Sequence, residues 1–333
     1  MNRAFKSSES SPKKGWTNTF VYWLQHSVSR RTHIAFGAVL VMFLWALCFP
    51  LINYGLSASP PMTFAALRAL IAGAVLLAIA QFQGRAPIRT ARLWGCVILA
   101  GFTATSLGFF GMFYGGGLVA PGLATVIGNT QPLIAALLAW AVLQERLSRS
   151  QRYGLITGFA GVVLIGGPSL FGTGSQIAGM SYILIGAVGV AISNIVLTQI
   201  AGRVDTLRAM AWQLIIGSMP LALLAYWTET GSAIIWSWPF VATLLTLSVA
   251  GTAAAFILWF WLLQHATLSR LNVYTFLTPV FGLVMGAAFF SEKIPPIALI
   301  GVVVSIAGIY WVNKTDVSPP KTLVVAESIQ PLE

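Results

Sequence analysis

Apolar positions along this chain come in runs of about twenty residues, separated by short clusters of Gly, Pro and basic residues. A helix rising about 1.5 Å per residue needs about twenty residues to cross about 30 Å of hydrocarbon. The pattern therefore predicts spanning helices near 34–54, 62–82, 93–113, 118–143 and 152–169, and a second set near 178–200, 208–228, 239–262, 270–290 and 296–313. Ahead of the first run, Trp16, Phe20, Trp23, Leu24, Ser27 and Val28 recur at helical spacing between Lys13, Lys14, Arg30 and Arg31. This reads as an amphipathic helix in the headgroup layer, with a disordered tail as the alternative. Residues 1–33 are too polar for a cleaved signal and are expected to stay on the protein, as is the polar tail 314–333.

Composition fixes the solvent. Hydrophobic residues make up 57% of the 333 and charged ones only 8%, against about 25% charged in soluble domains. So few charges cannot cover a water-exposed surface, and the partner of most of this chain is the lipid bilayer. A net charge of +11 would suggest nucleic acid in a soluble protein. Here the bases fall between apolar runs, where they orient helices instead, and no nucleic-acid partner is expected. Arg3, Lys6, Lys13, Lys14, Arg30 and Arg31 precede the first span. Arg85, Arg89 and Arg92, then Arg146, Arg149 and Arg152, then Arg203 and Arg208, then Arg270, occupy alternate connections, and Lys314 and Lys321 the tail. The other connections carry only Lys293. An odd number of spans would scramble this separation, so it is an independent argument for ten, with both termini cytoplasmic in a bacterial inner membrane.

The chain also matches itself at an offset of 147 residues. Pro132, Glu145, Arg146, Gly154 and Gly161 recur as Pro279, Glu292, Lys293, Gly301 and Gly308. Each unit, 34–169 and 178–313, holds five spans. Five is odd, so the second unit must enter the membrane in the opposite sense. The fold expected is an all-α membrane protein of ten helices in two inverted five-helix repeats, an arrangement in which rocking of one half against the other exposes a midplane site to each side in turn. Duplication for bundle stability alone is the plainer alternative.

The stretch FLWALCFPLIN around Trp45, the stretch TFAALRALIAG around Arg68 and the paired Pro and Glu positions resemble the EamA family of the drug/metabolite transporter superfamily, over about residues 34–313. The resemblance implies a ten-helix carrier of small metabolites such as amino acids, often an exporter.

Arg68 is the one charge inside a predicted span, about 9 Å from its end. Intramembrane charges face a cavity or a partner; Arg68 either attracts an anionic group of the cargo or bonds neighbouring carbonyls structurally. Asn129, Thr130 and Gln131 precede Pro132, and Asn272, Tyr274, Thr275 and Thr278 precede Pro279. A proline within a span frees carbonyls, so these polar groups could form a cradle or serve as helix–helix glue. Asn194, Gln213 and Trp45 are added as lining. Phe109, Phe110, Tyr114, Trp140, Trp259 and Trp261 read as ring lining, packing or interfacial anchors. Glu145 and Glu292, each followed by a base at a span end, read as structural clamps or gates beside Pro132 and Pro279.

No cofactor, metal site or catalytic group is implied: the cysteines Cys48 and Cys96 sit in apolar runs, and His26, His33 and His265 lie near one face. An intramembrane enzyme is therefore disfavoured, while a channel-like pore competes with a carrier. The sequence leaves a homodimer open. Since Glu9, Glu145, Asp205, Glu229, Glu292, Asp316, Glu327 and Glu333 all lie in tails, connections or span ends, no midplane proton site is expected and transport should run down the cargo's own gradient.

Overall fold

A computed structural model describes residues 16–119, 124, 127–143, 148–166, 174–200, 202–231, 233–266, 271, 273–290 and 296–314. The described residues are helical apart from their connections: α1 Trp16–Gly55, α2 Pro61–Phe82, α3 Ala91–Gly115, α4 Gln131–Leu143, α5 Arg149–Gly166, α6 Gly174–Ile200, α7 Thr206–Thr228, α8 Trp238–Leu263, α9 Leu277–Phe290 and α10 Pro296–Lys314. Six of them carry a stretch long and apolar enough to cross a membrane, namely Thr32–Gly55, α2, α3, Ile177–Ile200, α7 and α8. Leu277–Phe289 and Pro296–Gly308 are shorter apolar helices. Phe36 (69% exposed), Phe82 (92%) and Leu137 (65%) face outward, which is ruinous in water and suited to lipid. The protein is thus a multi-pass helical membrane protein.

Residues 16–31 are helical, as their spacing predicts, but α1 runs unbroken for 40 residues. Residues 16–31 thus continue the helix of the first span.

α2 packs against α7, and α5 against α10. Both pairs are antiparallel. Arg85, just past α2, pairs with Asp205 at the head of α7 at 3.6 Å. At the opposite end Glu229, just past α7, accepts hydrogen bonds from the Met62 and Thr63 amides at 2.7 and 2.9 Å and from the Thr63 hydroxyl at 2.6 Å. The α5–α10 seam is built from the glycines that recur along the chain. A Cβ on Gly308 would lie 2.6 Å from the Gly158 nitrogen and 2.7 Å from the Gly154 oxygen, and one on Gly161 would lie 2.6 Å from the Gly301 oxygen. Only residues without a Cβ let these backbones approach so closely. The remaining contacts match at the same spacing of five helices: α3 with α6 and α8 with α1, α4 with α6 and α9 with α1, α3 with α7 and α8 with α2.

α3 and α8 contain π-helical turns, at Gly101–Leu107 and Gly111–Gly115 in the first and Val249–Ala254 in the second. Such wide turns inside helices recur at functional sites.

The prolines behave otherwise than expected. Pro132 is the second residue of α4 and Pro279 the third of α9, each just after a non-helical turn at 129–130 or 275–276. They open helices, where a missing N–H costs nothing, instead of breaking one from within. The fourth and ninth predicted spans are therefore discontinuous, with Asn129 and Thr130 in the first break and Thr275 and Phe276 in the second.

Candidate functional site

A cavity of about 710 Å³ lies among α1, α2, α3, α6, α7 and α8, with the breaks before α4 and α9 in its wall. That volume suits a small organic molecule. At one end its lining reaches exposed Gly202 and Gln264; at the other it stops at Arg68, Cys48 and Thr252, all buried. Beyond Arg68 the interior is filled by rings, with Phe64 edge-on to Phe113 at 5.2 Å and tilted against Phe240 at 5.3 Å, all three fully buried. Over these rings the connections are tied down, the Ile235 amide donating to the Ala58 carbonyl at 2.8 Å.

Arg68 dominates the closed end. It is 3% exposed, and bringing a guanidinium to such a position costs several kcal/mol by the lowest scales, about 2.5–3.5. Nε donates to the Thr252 hydroxyl at 3.0 Å, Nη2 to the Cys48 sulfur at 3.2 Å and Nη1 to the Met112 sulfur at 3.8 Å. Its carbon sits 4.8 Å from the Phe109 ring centre and 5.8 Å from that of Phe113. Ring faces and polarisable sulfur attract a cation, yet a guanidinium offers five donors and these acceptors are one hydroxyl and two sulfurs. No carboxylate among the described residues pairs with it. Local architecture serves this cradle: the Thr252 hydroxyl donates to the Leu247 carbonyl five residues back, at the start of the π turn, and a Cβ on Gly251 would strike the Cys48 sulfur at 2.7 Å.

Of the residues singled out from sequence, Trp45, Arg68, Asn129, Gln131, Asn194, Gln213 and Thr278 line the cavity. Trp45 meets Trp259 at 5.2 Å and Phe256 at 6.5 Å, so one wall is aromatic. Gln213 is 2% exposed and its Oε1 has no hydrogen-bond partner among the described residues; nor has the Ser193 hydroxyl, 1% exposed. Both face the cavity, and a buried unpaired polar atom costs about 1–3 kcal/mol. The Thr278 hydroxyl donates to the Met42 sulfur at 3.5 Å.

Tyr274 is not part of the lining. It is buried with Ile34, Ala38, Val41 and Met42 of α1, because Thr275 and Thr278, three apart, take the cavity-facing side. Pro279 is buried, outside the lining. Asn272, Glu145 and Glu292 lie outside the described residues, as does the side chain of Pro132. Among the aromatics, Phe109 and Trp259 line the cavity, whereas Trp140 (62% exposed) faces outward and Phe110 and Tyr114 stack on each other and meet Tyr182 edge-on. Sequence reasoning passed over Cys48, Thr252, Met112 and Ser193. The 147-residue offset, which sets Thr105 of the third span against Thr252 of the eighth, was the available signal for Thr252.

Spanning helices around a ligand-sized cavity that is open at one end and sealed by rings at the other define a class, the membrane transporters. The chain belongs to the EamA-like transporter family, whose family model matches twice, at residues 33–167 and 177–314. It is 31% identical over 284 residues to an uncharacterized transporter, YvbV, of Bacillus subtilis, covering 85% of this chain and 92% of that one. It is 28% identical to a probable amino-acid metabolite efflux pump of Salmonella typhimurium, with 83% and 93% covered. A crystal structure 21% identical superposes with a TM-score of 0.68 over 85% of this chain and 96% of its own, a likeness of fold alone.

Proposed function

We propose that this protein is an alternating-access carrier of small organic metabolites, amino acids or related compounds, working as an exporter in a bacterial inner membrane. The observation that carries the reading is the cavity walled by helices of both family-model matches, open at one end and closed by Phe64, Phe113 and Phe240 at the other. A channel needs a continuous path, and those rings interrupt it. Ten spans in two inverted repeats are part of the proposal. Its support is the antiparallel packing of α2 with α7 and α5 with α10, which the 147-residue offset makes equivalent, so that equivalent helices run in opposite senses. Arg85, Arg89, Arg92, Arg203 and Arg208 gather at the open end, and by the positive-inside rule that end and both termini are cytoplasmic. Export is favoured by the likeness to the probable efflux pump of Salmonella typhimurium.

Reconstitution into liposomes tests the reading. A carrier gives saturable uptake that accelerates when the same cargo is preloaded on the far side. Linear flux without trans-acceleration, across a panel of amino acids and their derivatives, would make the cavity a pore.

A further inference from the structure

We propose that the cavity selects monoanionic organic acids without an ammonium group: a carboxylate at Arg68, an apolar or aromatic body between Trp45, Phe109 and Trp259, and a hydrogen-bond donor at Gln213. This rests on the carrier reading and narrows its cargo to the compounds related to amino acids, leaving out the zwitterionic amino acids themselves.

Charge comes first. Arg68 and Asp205 are the charged side chains among the described residues of the lining. Asp205 lies at the open end, spent on Arg85 and on the Arg208 amide, which donates to it at 3.0 Å. The closed end therefore holds a cation whose acceptors are neutral, and a ligand carboxylate would satisfy the donors that a hydroxyl and two sulfurs leave over. Two further features have the same sign. The breaks before α4 and α9 bring Gln131, the first residue of α4, and Thr278, the second of α9, to the cavity wall, and helix N-termini are positive. An ammonium would meet this field without an acid to balance it, at a cost that the low dielectric enlarges.

Shape and polarity supply the rest. The walls between the polar ends are Trp45, Phe109, Met112, Phe256 and Trp259, fit for an aromatic or branched body. Gly73 of α2 abuts Ala211 and Ile215 of α7, which sets Gln213 level with Gly73. Arg68 lies five residues further toward the closed end, so the two groups differ in depth by roughly 7.5 Å. Gln213 Oε1, buried and unpaired, calls for a hydroxyl or N–H at about that distance from the carboxylate, and the Ser193 hydroxyl can accept the same donor or bond the body elsewhere.

Three compounds share one 4-hydroxyphenyl group on a two-carbon chain and differ in the charged groups that chain carries: 3-(4-hydroxyphenyl)propionate a carboxylate, tyrosine a carboxylate and an ammonium, and tyramine an ammonium alone. The test is equilibrium binding of each to the purified full-length protein in nanodiscs at neutral pH, where the first is an anion, the second a zwitterion and the third a cation. The acid should bind at least about tenfold more tightly than tyrosine, with tyramine weaker still. Arg68→Gln should erase that ranking. Gln213→Leu should weaken 3-(4-hydroxyphenyl)propionate several-fold while leaving 3-phenylpropionate unchanged, a readout independent of whether the Arg68 variant folds. Gly128→Phe, at a lining position where an added Cβ meets nothing within 4 Å, should block binding by filling the cavity. Tyrosine or tyramine binding as tightly as the acid, in a manner that Gly128→Phe abolishes, overturns the acid selectivity and leaves the carrier reading standing. Absence of binding by all three, or binding indifferent to Gly128→Phe, overturns both.

Discussion

Replacing Gly161 with alanine tests whether the recurring glycines hold the two halves of the chain together. A Cβ at this position would lie 2.6 Å from the Gly301 carbonyl oxygen and 2.5 Å from the Ser305 nitrogen. Ordinary contact begins at about 3.4 Å, so α5 and α10 must part by about 0.8 Å, the shortfall at the Gly301 oxygen, or more. Both partners are backbone, and no rotamer change can relieve the clash. Overpacking of this kind costs about 1–3 kcal/mol, a factor of about 5 to 150 in the folded-to-unfolded ratio. Gly95→Ala is the matched control. An added Cβ there meets nothing within 4 Å, and alanine in a helix interior is better than glycine by about 0.5–1 kcal/mol. Thermal unfolding in one detergent should thus show opposite shifts for the two variants. Gly308→Ala should resemble Gly161→Ala, and the double variant should cost less than the sum, because a single separation relieves both clashes. If Gly161→Ala melts at or above the parent temperature, as Gly95→Ala should, the seam is not the close contact described.

Glu229→Ala removes a carboxylate that accepts from two amides and a hydroxyl of α2, and should destabilise by about 1.5–3 kcal/mol; a change in melting no larger than that of Thr63→Val would show that the amide caps carry no weight. With Cys48 and Cys96 replaced by serine, Ser57→Cys should react in intact cells with a membrane-impermeant thiol reagent and Gln83→Cys should not; equal reactivity would break the assigned orientation. In proteoliposomes an imposed pH gradient alone should not accumulate a cargo of constant charge, and uphill accumulation abolished by an uncoupler would bring Glu145 and Glu292 forward as proton carriers.

The helical class, the buried Arg68 and the glycine seam were legible because each leaves a mark in one dimension: run length, a lone charge in an apolar run, a recurrence at fixed offset. The cradle around Arg68 left none. Cys48 and Thr252 come to the guanidinium from α1 and α8, and in sequence a cysteine and a threonine within apolar runs look like packing. The side that Tyr274 takes was hidden for a related reason, since closeness to Pro279 says that a residue is near the break but not which face it takes. Reading Pro132 and Pro279 as interior kinks overlooked the non-helical turn ahead of each, Asn129–Thr130 and Thr275–Phe276, which stops one helix before the proline starts the next.

The wide turns in α3 carry a consequence for how this helix tolerates insertion and deletion. Each π turn absorbs one residue more than an α turn would, and one residue in an α-helix is about 100° of rotation. Deleting a residue within Gly101–Leu107 would let the backbone relax into an ordinary helix of the same apolar character, still able to cross the bilayer. Everything beyond the deletion would keep its face, because the wide turn had already taken up the extra residue, whereas a deletion in an ordinary turn of the same helix would rotate the rest by about 100°. Phe109 and Met112 would stay beside the Arg68 guanidinium in the first case and swing away from it in the second. The extra residue is thus slack held within one turn, and its loss would leave a protein that inserts normally with its binding face still turned to the cavity.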